Sequence, residues 1–375
     1  MRITRAGAMG AALLLSLVWM GGCGFAGSAG TPKPPKPQRP FRVLAFWATG
    51  SNVTLSPLNV HKQAISAVVP LFYAIAGTGA IKDKVVPSVL RQVRSDGIPV
   101  VPSFTAPMGQ AFLGSIPSRL LVARHIASIV RTQHYQGVNI DFEPARPRYR
   151  AGLAAFIVDL RDLLPPRSQL YLDTIPGDSA AYNYRAMTPE VTGYDFMTYD
   201  EHDDGSVAGP VAATSWVLAK VNRLKTLVPA NKILMGIAFY GYDWLNGTTH
   251  AVTISLNHIP AEALKVARYD PSTEEMHARY TLGGVSHDLW WETPQGINAK
   301  VRAAETMGLQ GVAVWRLGYQ TTGLTTILGA IQTQRAHSLK VPHARTAPSN
   351  SHPARKTGAR LRPHPSRSRR SHPYP

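Results

Sequence analysis

The sequence predicts a (β/α)8 barrel, an α/β fold of eight parallel strands ringed by helices, with a small α+β insertion after the seventh strand. Three observations point to it. Between Phe41 and about Gln334, eight short β-rich runs alternate with amphipathic stretches, the order expected of a parallel sheet with covered faces. Eight such units in this length suit a closed barrel better than an open doubly wound sheet. The first run ends in Ala48-Thr49-Gly50-Ser51, which lacks the glycine spacing of a dinucleotide-binding turn.

The eight runs, in order, are Arg42–Ala48, Ala67–Ala74, Pro99–Phe104, Gly137–Phe142, Gln169–Ile175, Tyr194–Thr198, Ile233–Tyr240 and Gly311–Arg316. Helices are predicted between most of them. Ser118–Gln133 carries apolar residues at Leu121, Val122, Ile126, Ile129 and Val130, one face of a helix. Arg150–Leu164 and Val211–Leu227 are similar, and Ile297–Met307 precedes the last strand. The stretch from about Asn246 to Glu292 is too long for a simple loop. It reads as the insertion, with a short helix at Ala261–Ala267 and a hairpin at Gly283-Gly284. The barrel domain therefore spans residues 41–335.

The two ends are of another kind. Arg2 and Arg5 precede an apolar run from Ala8 to Met20, right in length for a secretory segment and short for a membrane span. Residues 1–23 are expected to be a signal peptide. The small residues before Cys23, the one cysteine of the chain, resemble a bacterial lipoprotein processing site, at which Cys23 would be lipidated. The alternative is ordinary cleavage near Ala26-Gly27-Ser28-Ala29. A secreted or membrane-anchored, extracytoplasmic protein is the expectation either way. Residues 24–40 form a linker, Pro-rich and basic from Thr31, of the extended spacer type. Residues 336–375 hold nine Lys and Arg and no acid, half of the formal net charge of +18. Such a tail is expected to be disordered. It could grip an anionic wall polymer or a membrane surface; a plain solvated tail is the other reading. Nucleic acid is not an expected partner of an exported chain. The protein is expected to act as a monomer.

The run Gly137-Val-Asn-Ile-Asp-Phe-Glu143 bears most on function. Val138, Ile140 and Phe142 alternate with Asn139, Asp141 and Glu143, so a strand here has one apolar face and one that gathers an amide and two carboxyls. An amphipathic edge strand with solvated acids would look the same. Placed fourth in a barrel, the run instead brings its carboxyls to the C-terminal rim, where barrel enzymes keep their chemistry. Strand six ends there in Met197-Thr198-Tyr199-Asp200, strand seven in Phe239-Tyr240-Gly241-Tyr242-Asp243-Trp244 and strand eight in Trp315. Converging carboxyls, phenols and indoles describe a carbohydrate site. No metal and no cofactor is called for.

These residues resemble glycoside hydrolase family 18, the chitinase-like family. Its signature Asp-Gly-x-Asp-x-Asp-x-Glu corresponds to Gln136–Glu143, and Met197–Asp200 is similar to its strand-six motif. Trp315 falls where its strand-eight tryptophan floors the sugar site. The strongest likeness is to the spore-cortex and wall-lytic N-acetylglucosaminidase branch, through Asn-Ile-Asp-Phe-Glu, Tyr199–His202, Gly209–Ala212 and Tyr240–Trp244. Gln136 and Asn139 depart from the signature by replacing its first two aspartates.

The resemblance implies hydrolysis in which the substrate's own N-acetyl oxygen attacks the anomeric carbon. Glu143 would be the general acid, its pKa raised by an enclosed site and by the negative Asp141. Asp141 would orient the acetamido N–H, and Tyr199 would bond its carbonyl. Asn139 would hydrogen-bond to Asp141. Asp200 would contact the distorted sugar or Glu143, with Met197, Tyr240 and Trp315 also binding substrate. The expected partner is an N-acetylglucosamine-containing polysaccharide, peptidoglycan or chitin. A sugar-binding protein without catalysis is the rival on the same fold.

Overall fold

The computed structural model describes residues 40–48, 62–107 and 109–319. The expected signal segment with Cys23, the expected linker up to Arg39 and the basic tail lie outside the described residues. Among the described residues, no helix is long and apolar enough to cross a membrane.

The barrel begins with β1 (Arg42–Trp47), β2 (Ala67–Pro70), β3 (Tyr73–Ile75) and β4 (Ile81–Asp83), then α1 (Pro87–Ser95) and β5 (Ser103–Thr105). It continues through α2 (Ile116–Thr132), β6 (Gly137–Asp141), α3 (Arg150–Leu163), β7 (Gln169–Thr174), α4 (Tyr184–Met187) and β8 (Gly193–Phe196). Next come α5 (Thr214–Lys225) and β9 (Ile233–Ala238). Parallel pairing runs β2-β1-β15-β9-β8-β7-β6-β5-β3, where β15 is Gly311–Trp315. The ring closes where Val68 of β2 bridges to Val100, just before β5. Val68 N donates to Pro99 O at 2.9 Å and Val101 N to Val68 O at 3.0 Å. The expected second strand, Ala67–Ala74, is interrupted at Leu71-Phe72, and its second half turns back as an antiparallel hairpin with β4.

The period-two pattern decides which side chains fill the barrel. Val43, Ala45, Val138, Ile140, Leu170, Leu172, Val312 and Val314 face outward and join the helices in one large core. Their strand neighbours Leu44, Phe46, Tyr171, Leu234 and Ala313 pack inside with Ala67, Val69 and Val101. On α2 the buried stripe is Val122, Ala123, Ile126, Ala127 and Val130. Leu121, expected on that stripe, is instead 54% exposed.

The insertion is larger than its sequence suggests, and it starts earlier. Its first strand is β10 (Tyr240–Leu245), so the run Ile233–Tyr240 is not one strand but the end of β9 and the first residue of another sheet. β11 (Ala251–Ser255), α6 (Ala261–Val266), β12 (Arg268–Asp270), β13 (Glu275–Leu282) and β14 (Val285–Trp291) complete it before α7 (Pro294–Thr306). The strands form an antiparallel sheet in the order β11-β10-β14-β13-β12. The expected hairpin joins β13 to β14 through Gly283 and Gly284, both at positive φ (58° and 81°), which glycine adopts without strain.

A buried polar cluster ties this sheet to the loop after β8. Glu275 accepts the Val211 and Ala212 N–H groups at 2.8 and 2.6 Å, and Glu201 accepts Ala213 N–H at 3.0 Å. Those donors belong to residues expected to open a helix at Val211. The carboxylates hold them, and α5 begins three residues later. Beneath them Lys300 and Glu292 form a fully buried ion pair of 2.6 Å.

Candidate active site

β6 carries the signature run to the mouth of the barrel. Asn139 is fully buried inside, Asp141 is half-buried one step higher, and Glu143 emerges at the rim just past the strand. The peptide bond after Glu143 is cis, as is that after Trp315. A cleft of about 400 Å³ opens above, lined by Asp141, Glu143, Met197, Tyr199, Asp200, Tyr240 and Trp315. Seven of the eight residues expected to act on substrate therefore line one cleft. The eighth, Asn139, lies below them and does not line the cleft.

Glu143 and Asp141 are joined by a side-chain hydrogen bond. Both carboxyls are pushed upward, chiefly because protein mass surrounds them and their charged forms are poorly solvated. The bond acts in opposite directions on the two, raising Asp141 and lowering Glu143. The two carboxyls therefore hold a proton as a pair at a pH where an exposed carboxyl would have lost it. Glu143 is raised by its own enclosure and by the charge of Asp200.

Asn139 differs from expectation. Its amide donates to Ser103 Oγ at 3.1 Å and to Asp173 Oδ2 at 2.8 Å, not to Asp141. The reason is register. Asn139 is paired with Ser103 on β5, while Asp141 stands two residues further along, level with Thr105.

The opposite wall belongs to the ends of β8 and β10. Tyr199 is packed edge-on against Tyr240, ring centroids 6.1 Å apart, and Tyr240 in turn against Tyr242 at 5.5 Å. Burial holds the Tyr199 and Tyr240 phenols well above their ordinary range, so both are neutral donors. Asp200 sits at φ 60°, a backbone state that strains most residues. It is held by Tyr240 at 2.5 Å and Tyr242 at 3.0 Å, both donating to Oδ1. Asp200 thus meets two phenols rather than Glu143. Trp315 rests on Phe46, ring centroids 5.7 Å apart, as a floor between the walls.

A close approach seats Tyr199. Gly236 of β9 lies directly behind it. A Cβ at that position would stand 2.9 Å from the Tyr199 ring and 2.8 Å from both Phe196 O and Thr198 N.

Sequence reading missed several lining residues. Asp173, Ile175, Pro176, Asp203, Trp216 and Thr253 all reach the cleft, beside Tyr242, which the sequence already places at the rim. Trp216 comes from the first turn of α5, with Lys220 Nζ 5.2 Å above its ring. Asp173 and Asp195 are single acids inside apolar strands, buried to 4% and 1% exposure. That isolation was the available signal, because a lone acid is costly inside a barrel without a purpose. Among the described residues, no group of His, Cys, Asp or Glu is arranged to hold a metal ion.

Comparison with known proteins agrees with this geometry. The chain is 27% identical over 212 residues to the "Uncharacterized glycosylase YvbX" of Bacillus subtilis, covering 52% of this chain and 61% of that protein. It is 28% identical over 234 residues to the "Cortical fragment-lytic enzyme" of Bacillus subtilis, covering 58% and 54%. The chain thus spans little more than half the length of these relatives. Among solved structures, a chitinase from Chromobacterium violaceum superposes with a TM-score of 0.71 at 22% identity, covering 78% of this chain and 98% of that one; this likeness is one of fold. The sequence profile of glycosyl hydrolases family 18 matches residues 48–320, and the chain belongs to that family.

Proposed function

We propose that the chain is an exported glycoside hydrolase that cleaves β-1,4 bonds after N-acetylglucosamine in peptidoglycan by substrate-assisted, retaining hydrolysis. The observation that carries the mechanism is the hydrogen bond between Asp141 and Glu143. Carboxyls that flank a sugar ring stand about 5–5.5 Å apart in ordinary retaining enzymes and about 6.5–9.5 Å apart in inverting ones. Two carboxyls in hydrogen-bond contact fit neither arrangement. Asp200 is held on the opposite wall by two phenols that donate to its Oδ1. The attacking atom then has to come from the substrate, and a 2-acetamido group supplies it.

The steps follow from the proton that the pair holds. An acetamido N–H arriving at Asp141 needs an ionised acceptor there, so the proton shared by the pair settles on Glu143. Glu143 then protonates the leaving oxygen while the acetamido carbonyl oxygen closes on the anomeric carbon. Tyr199, a neutral donor in the cleft, hydrogen-bonds that carbonyl and sets its line of approach. Trp315 stacks under the ring. Glu143, now ionised, takes a proton from water as it opens the cyclic intermediate.

Peptidoglycan is favoured by the export signal, by the wall-type form of the motifs and by the cationic ends of the chain. The likeness to a cortical fragment-lytic enzyme supports the same reading. One observation favours a chitooligosaccharide instead. Among the described residues, the cleft lining has no Lys, Arg or His to meet a muramic carboxylate, which suits an uncharged polymer. The test is digestion of purified sacculi and of chitooligomers by wild type and by Glu143→Gln, with fragments read by mass spectrometry. Wall fragments ending in reducing N-acetylglucosamine, absent with the variant, are expected. Chitin fragments alone would reassign the substrate, and no release from either would end the hydrolase reading.

A further inference from the structure

Three neighbouring barrel strands each put a carboxyl at one level. Asp173 of β7 and Asp195 of β8 are register partners. Asp141 follows the Ile140–Leu172 pair that joins β6 to β7, which sets it level with Asp173. On its other side Asp141 is paired with Thr105 of β5. The row therefore reads Thr105, Asp141, Asp173, Asp195, with the acids directed into the barrel.

This row is unlike an ordinary ion-pair network. The charges acting on Asp173 are those of Asp195, Asp141 and Glu143, and the charge acting on Asp195 is that of Glu143, all negative. The other strands bring no titratable group to it. β5 offers Ser103 and Thr105, and β9 offers Leu234 and Gly236. Tyr171, one layer below on β7, is engaged by Arg42 at 2.9 Å. Tyr199, above the row, is a neutral phenol. One Oδ1 atom each of Asn139, Asp141, Asp173 and Asp195 is buried and meets no donor from the protein. A proton on a carboxyl oxygen turns an acceptor into a donor, so each shared proton settles two such oxygens.

Position 139 is where the family signature carries an acid and this chain an amide. The amide is bound to the nearest acid of the adjacent strand, Asp173. We propose that Asp173, backed by Asp195, supplies from across the strand boundary the proton-holding carboxyl that position 139 lacks, and is thereby a positioning residue for Asp141. With a proton kept on this pair, Asp141 is the member of the row free to ionise when an acetamido N–H reaches it. With both neighbours ionised, Asp141 would keep its own proton and fail to receive that N–H. The inference deepens the hydrolase reading and rests on it for its catalytic meaning, though not for the proton itself.

The experiment uses the full chain and four proteins: wild type, Asp173→Asn, Asp195→Asn and the exchange double variant Asn139→Asp/Asp173→Asn. The exchange keeps the number of carboxyls and the hydrogen bond between positions 139 and 173. Infrared spectra at neutral pH read protonated carboxyl groups without any substrate, and pH–rate profiles read their effect. The protonated-carboxyl band should be present in wild type, reduced in each single variant and restored in the exchange. In the singles, one fewer acid repels the rest, so Asp141 and Glu143 give up their shared proton at lower pH. The alkaline limb of kcat should move down by about one unit, with KM within about twofold, and return in the exchange. A band and a limb unchanged in both singles would overturn the proposal. Should Asp173→Asn fail to fold, Asp195→Asn and the exchange variant still decide it. Should wild type hydrolyse nothing, the infrared result stands alone and only the hydrolase reading falls.

Discussion

Tyr240 donates a 2.5 Å hydrogen bond to Asp200 from a strand that does not belong to the barrel. Asp200 lies in the loop four residues past β8, whereas Tyr240 opens the inserted sheet. The rim of the cleft is thus built jointly by two sheets, and the phenol at their junction holds an aspartate at positive φ.

That junction can be tested directly. The bonds from Tyr240 and Tyr242 lower the Asp200 pKa against the upward push of burial. Tyr240→Phe removes the shorter bond, so Asp200 should take up a proton at higher pH. The acidic limb of kcat/KM should move up, and kcat/KM at the optimum should fall by about tenfold, the worth of one hydrogen bond to a charged group. An acidic limb that stays in place would show that Asp200 is not the group titrating there.

The buried Lys300–Glu292 pair gives a stability prediction. Both side chains are wholly buried, so Lys300→Met strands a carboxylate without its partner. Urea denaturation should show a loss of about 3–5 kcal/mol. Lys300→Met combined with Glu292→Leu should recover most of it, because what destabilises is the unpaired charge rather than the absence of the pair. Equal losses in the single and the double variant would contradict this.

Stability should also depend on pH in a stated direction. Burial pushes Asp195 up to about 8, with the charge of Glu143 adding to it, and Asp141 and Asp173 move the same way. These acids hold their protons more tightly folded than unfolded. Their contribution is full below the unfolded pKa of about 3.9 and is lost as pH rises through the folded value. Thermal melts should therefore show Tm falling between about pH 5 and pH 8, with a shallower fall in Asp195→Asn. A Tm that climbs over this range in wild type would refute the assignment.

The basic tail is open to a simple deletion. Removing residues 336–375 takes away nine positive charges. Co-sedimentation with anionic walls should weaken at low salt, and the difference should shrink as salt screens it. Turnover of a soluble oligosaccharide should be unaffected. Unchanged sedimentation would leave the tail without a part in wall binding.

Much of this architecture was legible because strand and helix periods differ. Val138, Ile140 and Phe142 alternating with Asn139, Asp141 and Glu143 reveal both a strand and its functional face, and the structure keeps that division. What was hidden depends on register. Asp173 and Asp195 are far apart in sequence and meaningful only because parallel pairing sets them side by side. Nothing in either local run announces that pairing. The boundary at Phe239 was hidden for a different reason. Ile233–Tyr240 is apolar throughout, so the passage from β9 into β10 leaves no break in hydrophobicity to mark it. The hydrogen bonds of Asn139 were misjudged because two positions on one strand face are closer in sequence than either is to its true cross-strand partner.

Gly236 carries a final lesson. The ring of Tyr199 occupies the volume that a side chain on β9 would otherwise fill. The position bears no functional group, yet even one added methyl would force either the tyrosine or the backbone of β8 to retreat. Variant libraries that hold only the acids, phenols and indoles constant would leave this residue free and lose the site through it. Here emptiness shapes the cleft as much as any carboxyl group does.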